Sequence, residues 1–168
     1  MPIVTALRND KLQENHWALI KNMIKKEFDI TQEDFLLKSL IDLDIIQFQE
    51  EITSISTKAT QEANLKEQIE AIKSTWSKIN FTVEWDDKCE CYMLLALDDI
   101  YTALDESLAN LNMILGSRFV APLRQEAETQ KNLIMLLSDM LDQWTVCMKD
   151  WRYLENIFKA NDIKTALA

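Results

Sequence analysis

The sequence predicts a mainly α-helical protein, an elongated antiparallel helical bundle or rod with one small β-hairpin near residues 81–95. The 168-residue chain contains one glycine and two prolines, whereas an average glycine usage of about 7% would give roughly a dozen. Apolar residues recur at steps of three and four along most of the chain, as on one face of a helix. Folds that need many tight turns, such as sandwiches, barrels and propellers, are therefore excluded.

The N-terminal third is predicted to be helical. Asn9 and Asp10 follow a short first helix, where Asn and Asp side chains end or cap helices. Apolar residues then recur at helical spacing from Leu12 to Phe28. The run of residues 35–46 is apolar nearly all round, so we expect it to be buried between neighbouring elements.

Residues 47–79 are predicted to form one long helix. Its apolar positions form one line as far as Ala59 and a second line from Leu65 onward. The polar stretch 60–64 separates the two lines and shifts the helical phase. We expect the helix to change packing partner at this stretch, and the chain to bend there.

Residues 80–95 depart from helical spacing. The segment Phe81–Trp85 alternates β-branched and aromatic residues with polar ones, and Cys91–Leu95 can pair with it. Residues 86–90 form the predicted turn, which contains neither Asn-Gly nor Asp-Gly and is therefore longer than two residues.

Two further helices are predicted over residues 97–158. The first ends at Gly116, the only glycine, which can adopt a left-handed cap conformation without strain; we expect bending at this joint. From Ala121 to Phe158 a continuous helix would span ~57 Å, against roughly 31 Å for the diameter of a compact domain. The residues expected to hold the rod together, termed the predicted seam, are Trp17, Ile72, Trp76, Leu137, Leu141, Trp144, Met148, Trp151 and Leu154.

The charge balance excludes one class of function. The chain has 18 basic and 28 acidic residues, a net charge of -10, whereas nucleic-acid binding needs clustered Lys and Arg. The longest uninterrupted apolar stretch, Tyr92–Leu97, is far shorter than the ~20 residues of a membrane span. We therefore expect neither nucleic acid nor membrane as a partner. The acidic surface either keeps a helical protein soluble or faces a basic partner.

No catalytic, cofactor-binding or metal site is predicted. A phosphate-binding loop of the form G-x-x-x-x-G-K-[ST] needs two glycines, and the chain has one. His16, the only histidine, has no nucleophile at a readable spacing and is predicted to be packed and hydrogen-bonded. A closed zinc site needs four ligands, and neither Cys147 nor His16 is nearby in sequence, so Cys89 and Cys91 are predicted to be core or turn thiols. The odd number of cysteines, three, and the lack of a signal peptide favour an intracellular protein.

Two stretches of the sequence are distinctive. The first is Thr5-Ala-Leu-Arg-Asn9 followed by His16-Trp17, and the second combines residues 116–122, 141–144 and 151–158. Together they resemble the linker region of dynein heavy chains, in which L-R-N-P-x-L-x-x-x-H-W and W-x-x-x-Q-x-x-W-x-Y-L-E-x-I-F occur in the same order. Asp10 stands where that family often has proline, and Met148 where glutamine is usual. The resemblance extends over the whole chain, and its C-terminal motif is closer to axonemal members.

The resemblance implies a non-catalytic mechanical segment of a motor. The dynein linker bends across the AAA+ ring and couples ATP hydrolysis to microtubule-based movement. The implied partners are the AAA+ ring and the rest of the heavy chain, without direct microtubule contact, and the implied location is the cytoplasmic cytoskeleton, including the ciliary axoneme. Residues 1–168 would form a single partial linker segment, with a helical part at 1–79, a hairpin at 80–95 and a helical hairpin at 97–158.

An alternative is a stand-alone, spectrin-like helical module that binds partner proteins through the predicted seam or the acidic face. Such a module is expected to be monomeric and free of exposed apolar strips. A segment of a larger linker is instead expected to expose apolar surface and to associate.

Overall fold

The computed structural model describes residues 2–24 and 45–159. It confirms the mainly α-helical class with one small hairpin for these residues. Most of the apolar run at 35–46 lies outside them, and Ile46 near its end is exposed. The described elements are α1 Pro2–Leu7, α2 Glu14–Ile24, a 3-10 turn Ile45–Phe48, α3 Gln49–Trp76, β1 Thr82–Asp86, β2 Cys91–Leu95, α4 Leu97–Leu115, a 3-10 turn Ala121–Leu123 and α5 Arg124–Phe158.

The chain divides into two compact units. The first comprises Met1–Gln68 and Arg118–Leu123, and the second comprises Ile69–Ser117 and Arg124–Ala168. Helix α3 continues without a break through the polar stretch 60–64 and contributes to both units. The boundary falls at Gln68, a few residues beyond the polar stretch, so α3 belongs to the first unit before this position and to the second unit after it.

The core of the first unit is an apolar cluster built by α1, α2 and α3. Apolar residues three or four positions apart lie on one helix face, which places Ile3 with Ala6 on α1 and Ile20 with Ile24 on α2. These four side chains pack with Ile52 of α3, and Trp17 packs against the cluster from its edge.

In the second unit, α4 and α5 pack antiparallel. The two helices are joined by residues 116–123, and Tyr101 near the start of α4 reaches Asp142 in the middle of α5. Side chains at helical spacing bury the contact face of each helix. They are Ile100, Leu104, Leu111 and Ile114 on α4 and Ala127, Ile134 and Leu141 on α5.

In the hairpin, β1 is exposed from Thr82 to Trp85, and only Met93 of β2 is buried. Its strands pair in the register Val83 to Leu94 and Trp85 to Tyr92. The rings of Trp85 and Tyr92 meet edge to face, with centroids 5.2 Å apart, and both rings are exposed. Because side chains alternate across a strand, Met93 points to the other face, where it is buried.

The left-handed cap expected at Gly116 is wrong. Gly116 has φ -75° and ψ -11°, a right-handed conformation, and its N–H donates to the carbonyl of Asn112. The helical turn is thus prolonged by one residue, and Ser117 N–H then bonds the carbonyl of Ile114 at 3.1 Å. Among the described residues, left-handed conformations occur instead at Glu90 and Ala96, which flank β2 where the chain changes direction.

Candidate functional site

The described residues lack the groups of a metal centre. Among them, no three or more His, Cys, Asp and Glu side chains are placed to hold an ion. None of the described helices is long and apolar enough to cross a bilayer. The three thiols are free: Cys89 is buried, Cys91 half-buried and Cys147 exposed. Burial, reinforced by the negative charge of Asp86, raises the pKa of Cys89 above its usual value.

A polar cluster in the first unit joins the α1–α2 connection to α3. The side-chain amide of Asn9 donates to the hydroxyls of Ser56 and Thr60, at 2.9 and 2.8 Å, and lies 3.0 Å from the Ser56 carbonyl. Its oxygen accepts the N–H of Lys11 at 3.0 Å, which shapes the turn. Asn9 therefore orders this connection rather than capping the next helix, which begins at Glu14.

His16 is the second member of this cluster. The ring is 1% exposed, and its Nε2 lies 3.0 Å from Oε2 of Glu62 on α3. On its other side, Nδ1 accepts the N–H of Gln13 at 3.1 Å. The predicted packed, hydrogen-bonded histidine is confirmed. Both ring nitrogens are occupied by structural contacts, so the arrangement holds α2 against α3.

The cluster explains why residues 60–64 are polar. Thr60 and Glu62 supply the acceptors that Asn9 and His16 need in a buried position. Buried polar groups are stable only when they are hydrogen-bonded. The polar stretch is thus the part of α3 that binds the α1–α2 connection and the start of α2.

Helix α5 is contacted along its length by the elements that precede it in the second unit. Near its start, the carboxylate of Glu126 forms an ion pair with Lys73 of α3. In its middle, Asp142 accepts the hydroxyl of Tyr101 at 2.9 Å. Further along, Sδ of Met148 accepts the backbone N–H of Leu94 at 3.4 Å. Residues of α3, α4 and β2 thus contact this helix from its first turn to beyond its middle.

The end of α5 is contacted by the hairpin. Nη2 of Arg152 lies 3.3 Å from Oδ2 of Asp86, and the ammonium group of Lys159 bonds the Lys88 carbonyl. Backbone N–H groups of Lys88 and Cys89, with the charge of Arg152, hold the pKa of Asp86 below its usual value. The turn and the last two turns of α5 are therefore tied by charged hydrogen bonds.

The members of the predicted seam take three different environments. Ile72 and Leu141 are buried, whereas Trp144, Trp151 and Leu154 are exposed. Trp17, Trp76, Leu137 and Met148 are half-buried. Trp76 also donates its indole N–H to the buried hydroxyl of Ser107 at 3.0 Å, which attaches α3 to α4.

The exposed members belong to a second apolar face of α5, termed here the apolar stripe. Its residues recur at steps of three and four and are all solvent-exposed. At 100° per residue they fall within a sector of about 80°, turned away from Ile134 and Leu141 on the buried face. The stripe consists of Leu133, Leu136, Met140, Trp144, Cys147, Trp151, Leu154 and Phe158.

Two features escaped prediction from the sequence. The partner of His16 was not identified, because Glu62 lies 46 residues away and no local pattern joins them. The separation of α5 into a buried face and an exposed stripe was also missed. The sequence does contain a signal for the buried face: Ala127, Ile134, Leu141 and Met148 are each seven residues apart. This heptad spacing defines a narrower face of the helix than the predicted seam does.

Comparison with known proteins identifies the family. The family model for dynein heavy chain, N-terminal region 2, matches residues 1–168. The chain is 30% identical over 168 residues to dynein axonemal heavy chain 6 of Homo sapiens and to dynein axonemal heavy chain 2 of Mus musculus. It is 28% identical to the dynein-1-beta heavy chain, flagellar inner arm I1 complex, of Chlamydomonas reinhardtii. These alignments cover 99% of this chain and 4% of each relative. The chain belongs to the dynein heavy chain N-terminal region 2 family.

Proposed function

We propose that this chain is a non-catalytic mechanical linker segment of a dynein heavy chain. In the full motor it bends across the AAA+ ring and couples ATP hydrolysis to microtubule-based movement. The axonemal and flagellar names of its relatives support a location in the ciliary axoneme. Its partners are then the ring and the rest of the heavy chain. The stand-alone module is less well supported, because such a module is expected to lack exposed apolar strips and α5 carries one.

The observation that carries the mechanical role is the support along α5. This 35-residue helix is continuous, and α3, α4 and the hairpin contact it from Glu126 to Arg152. A helix bends when its hydrogen-bond ladder is opened, and packed side chains along one side resist such opening. The arrangement suits a part that transmits force along its axis.

The polar stretch 60–64 and Gly116 remain the proposed bending positions. At Gly116 an added Cβ would lie 3.4 Å from the Asn112 carbonyl oxygen and 3.5 Å from that of Met113. These are ordinary van der Waals separations, and the backbone angles suit any residue. A larger residue would therefore fit at this position. The role proposed for Gly116 is to give the backbone more conformational freedom.

The lever role is tested in the full heavy chain by Leu141→Ala, with Met135→Ala as matched control. Leu141 is buried against the second-unit core, whereas Met135 is exposed on the same helix and off the apolar stripe. Removing the buried side chain should cost about 2–5 kcal/mol. We expect gliding velocity to fall more than ATP turnover, since the weakened strut uncouples the two, and Met135→Ala to change neither. Unchanged displacement per ATP in a motor whose segment is measurably destabilised would contradict the lever.

A further inference from the structure

The apolar stripe of α5 is flanked by unbalanced acidic charge. Asp139 lies beside Met140 and Trp144 in a shallow surface groove that also includes Gln143 and Cys147. Asp150 lies on the same edge of the stripe, 11 residues or ~16 Å further along the helix. Among the residues that the structure describes, neither carboxylate has an ion-pair partner.

The basic residues of α5 lie on the other half of the helix. At 100° per residue, each is displaced by about 120° or more from the midline of the stripe. Arg124 pairs with Glu128 and Arg152 with Asp86, so part of this charge is already used within the chain. The four residues are Arg124, Lys131, Lys149 and Arg152. The only charged residues along the stripe and along the edge with Asp139 and Asp150 are therefore acidic.

The stripe has the geometry that accepts another helix. Its side chains repeat at steps of three and four over residues 133–158, which is ~38 Å of helix. Such spacing supplies the knobs of knobs-into-holes packing. Trp144 and Trp151 lie near its middle, and aromatic residues of this kind dominate binding energy when they are covered.

We propose that the apolar stripe is the docking surface for an amphipathic helix that places Lys or Arg opposite Asp139 and Asp150. The unpaired acidic edge selects a basic flank over an acidic one. A second copy of this chain is a poor occupant, because each copy carries a net charge of -10 and the same acidic edge. The proposal extends the function proposed above by naming the chemistry of the partner element.

The apolar stripe contains a cysteine whose reactivity reports whether the stripe is covered. Cys147 is exposed within the stripe, whereas Cys89 is buried with a raised pKa and Cys91 is half-buried. Alkylation needs the accessible thiolate, so a helix that covers the stripe slows modification of Cys147. Peptide mapping by mass spectrometry reads the three thiols separately, and Cys91 serves as an internal reference.

The experiment measures Cys147 alkylation in the 168-residue chain with two synthetic helices. Both carry the same leucine stripe at alternating steps of three and four, and one has Lys and the other Glu at the flanking positions. Two solvent-exposed charge pairs should give the Lys-flanked helix an apparent affinity about five- to tenfold higher at low ionic strength. A third helix with the Lys residues but serine in place of the leucines should give no protection.

Matched variants assign the effect to the surface. Asp139→Asn with Asp150→Asn should reduce the preference for the Lys-flanked helix to less than about twofold. Met140→Lys, in the stripe, should weaken binding of both leucine helices, whereas Met135→Lys, exposed on the other side of α5, should not.

Three results would each overturn the proposal. They are equal protection by both leucine helices, protection by neither, and a preference for the Lys-flanked helix that survives in the double asparagine variant. Protection of Cys147 at low ionic strength without peptide would overturn it in favour of a second copy. The assay does not involve the motor, so failure of the lever role leaves its outcome unaffected.

Discussion

At the scale of single residues, the hydrogen bonds of His16 determine where its proton lies. Nδ1 accepts the backbone N–H of Gln13, so the ring proton is on Nε2 and is donated to the carboxylate of Glu62. Glu62 is itself 8% exposed, and Lys58 lies 3.7 Å from its other oxygen. The carboxylate is therefore stable in this position because donors reach it from two sides.

We predict that His16→Leu destabilises the packing of α2 on α3 by about 2–3 kcal/mol, the usual effect of losing a hydrogen bond to a charged group. The substitution leaves a buried carboxylate without its ring donor. Hydrogen exchange of the α2 and α3 amides measures the change locally.

The double variant His16→Leu with Glu62→Leu is the matched control for that prediction. It removes both polar partners, which is far less costly than removing one. We expect it to be more stable than His16→Leu alone. Equal stability of the two variants would mean that the pair does not hold the helices together.

At the scale of single elements, the β1–β2 turn depends on Asp86. Its Oδ1 accepts the backbone N–H of Lys88 at 2.9 Å, and its Oδ2 faces Arg152 of α5. These contacts favour the charged carboxylate, and its pKa is accordingly lowered from 3.8. The turn and the end of α5 are thus stabilised by a group that titrates in acid.

We predict a pH dependence of the hairpin that disappears in Asp86→Asn. A carboxylate with a lowered folded-state pKa contributes its full stabilisation above the ordinary value near 3.8 and loses it as the pH falls through the lower folded value. The near-ultraviolet signal of the Trp85–Tyr92 pair, followed during thermal unfolding at descending pH, measures this loss. Asp87→Asn, in the same turn, should retain the acid sensitivity; loss of sensitivity in both variants would assign it elsewhere.

For the molecule as a whole, net charge and exposed apolar surface have opposite effects on self-association. A net charge of -10 keeps copies of the chain apart, while the eight exposed residues of the apolar stripe favour association. Salt shifts this balance, because the Debye length falls from roughly 10 Å at 0.1 M to roughly 3 Å at 1 M.

We therefore predict that self-association of the 168-residue chain increases with salt. Light scattering should report a monomer at low ionic strength and growing mass as salt is added. Met140→Lys should reduce the growth, since it places a charge within the stripe, and Met135→Lys should reduce it less. A chain that stays monomeric in high salt, or variants that behave alike, would argue against the stripe as the adhesive surface.

The local structure of this chain follows from its composition and from the spacing of its apolar residues. One glycine and two prolines in 168 residues leave little to interrupt helices, and α5 is continuous as its spacing predicted. The β-branched and aromatic residues of Phe81–Trp85 likewise placed the hairpin. Such features depend on backbone preference and on neighbours a few residues away, which a single sequence displays.

Which surfaces are covered and which polar groups meet depends on packing between elements that are far apart in the sequence. Leu141 and Trp144 are both bulky, apolar and at helical spacing, yet the first is buried and the second exposed, because α4 and the hairpin cover only one side of α5. The right-handed conformation of Gly116 and the pairing of His16 with Glu62 were undetermined for the same reason. Each depends on elements that are distant in the sequence, and local spacing does not show which of these elements packs against a given residue.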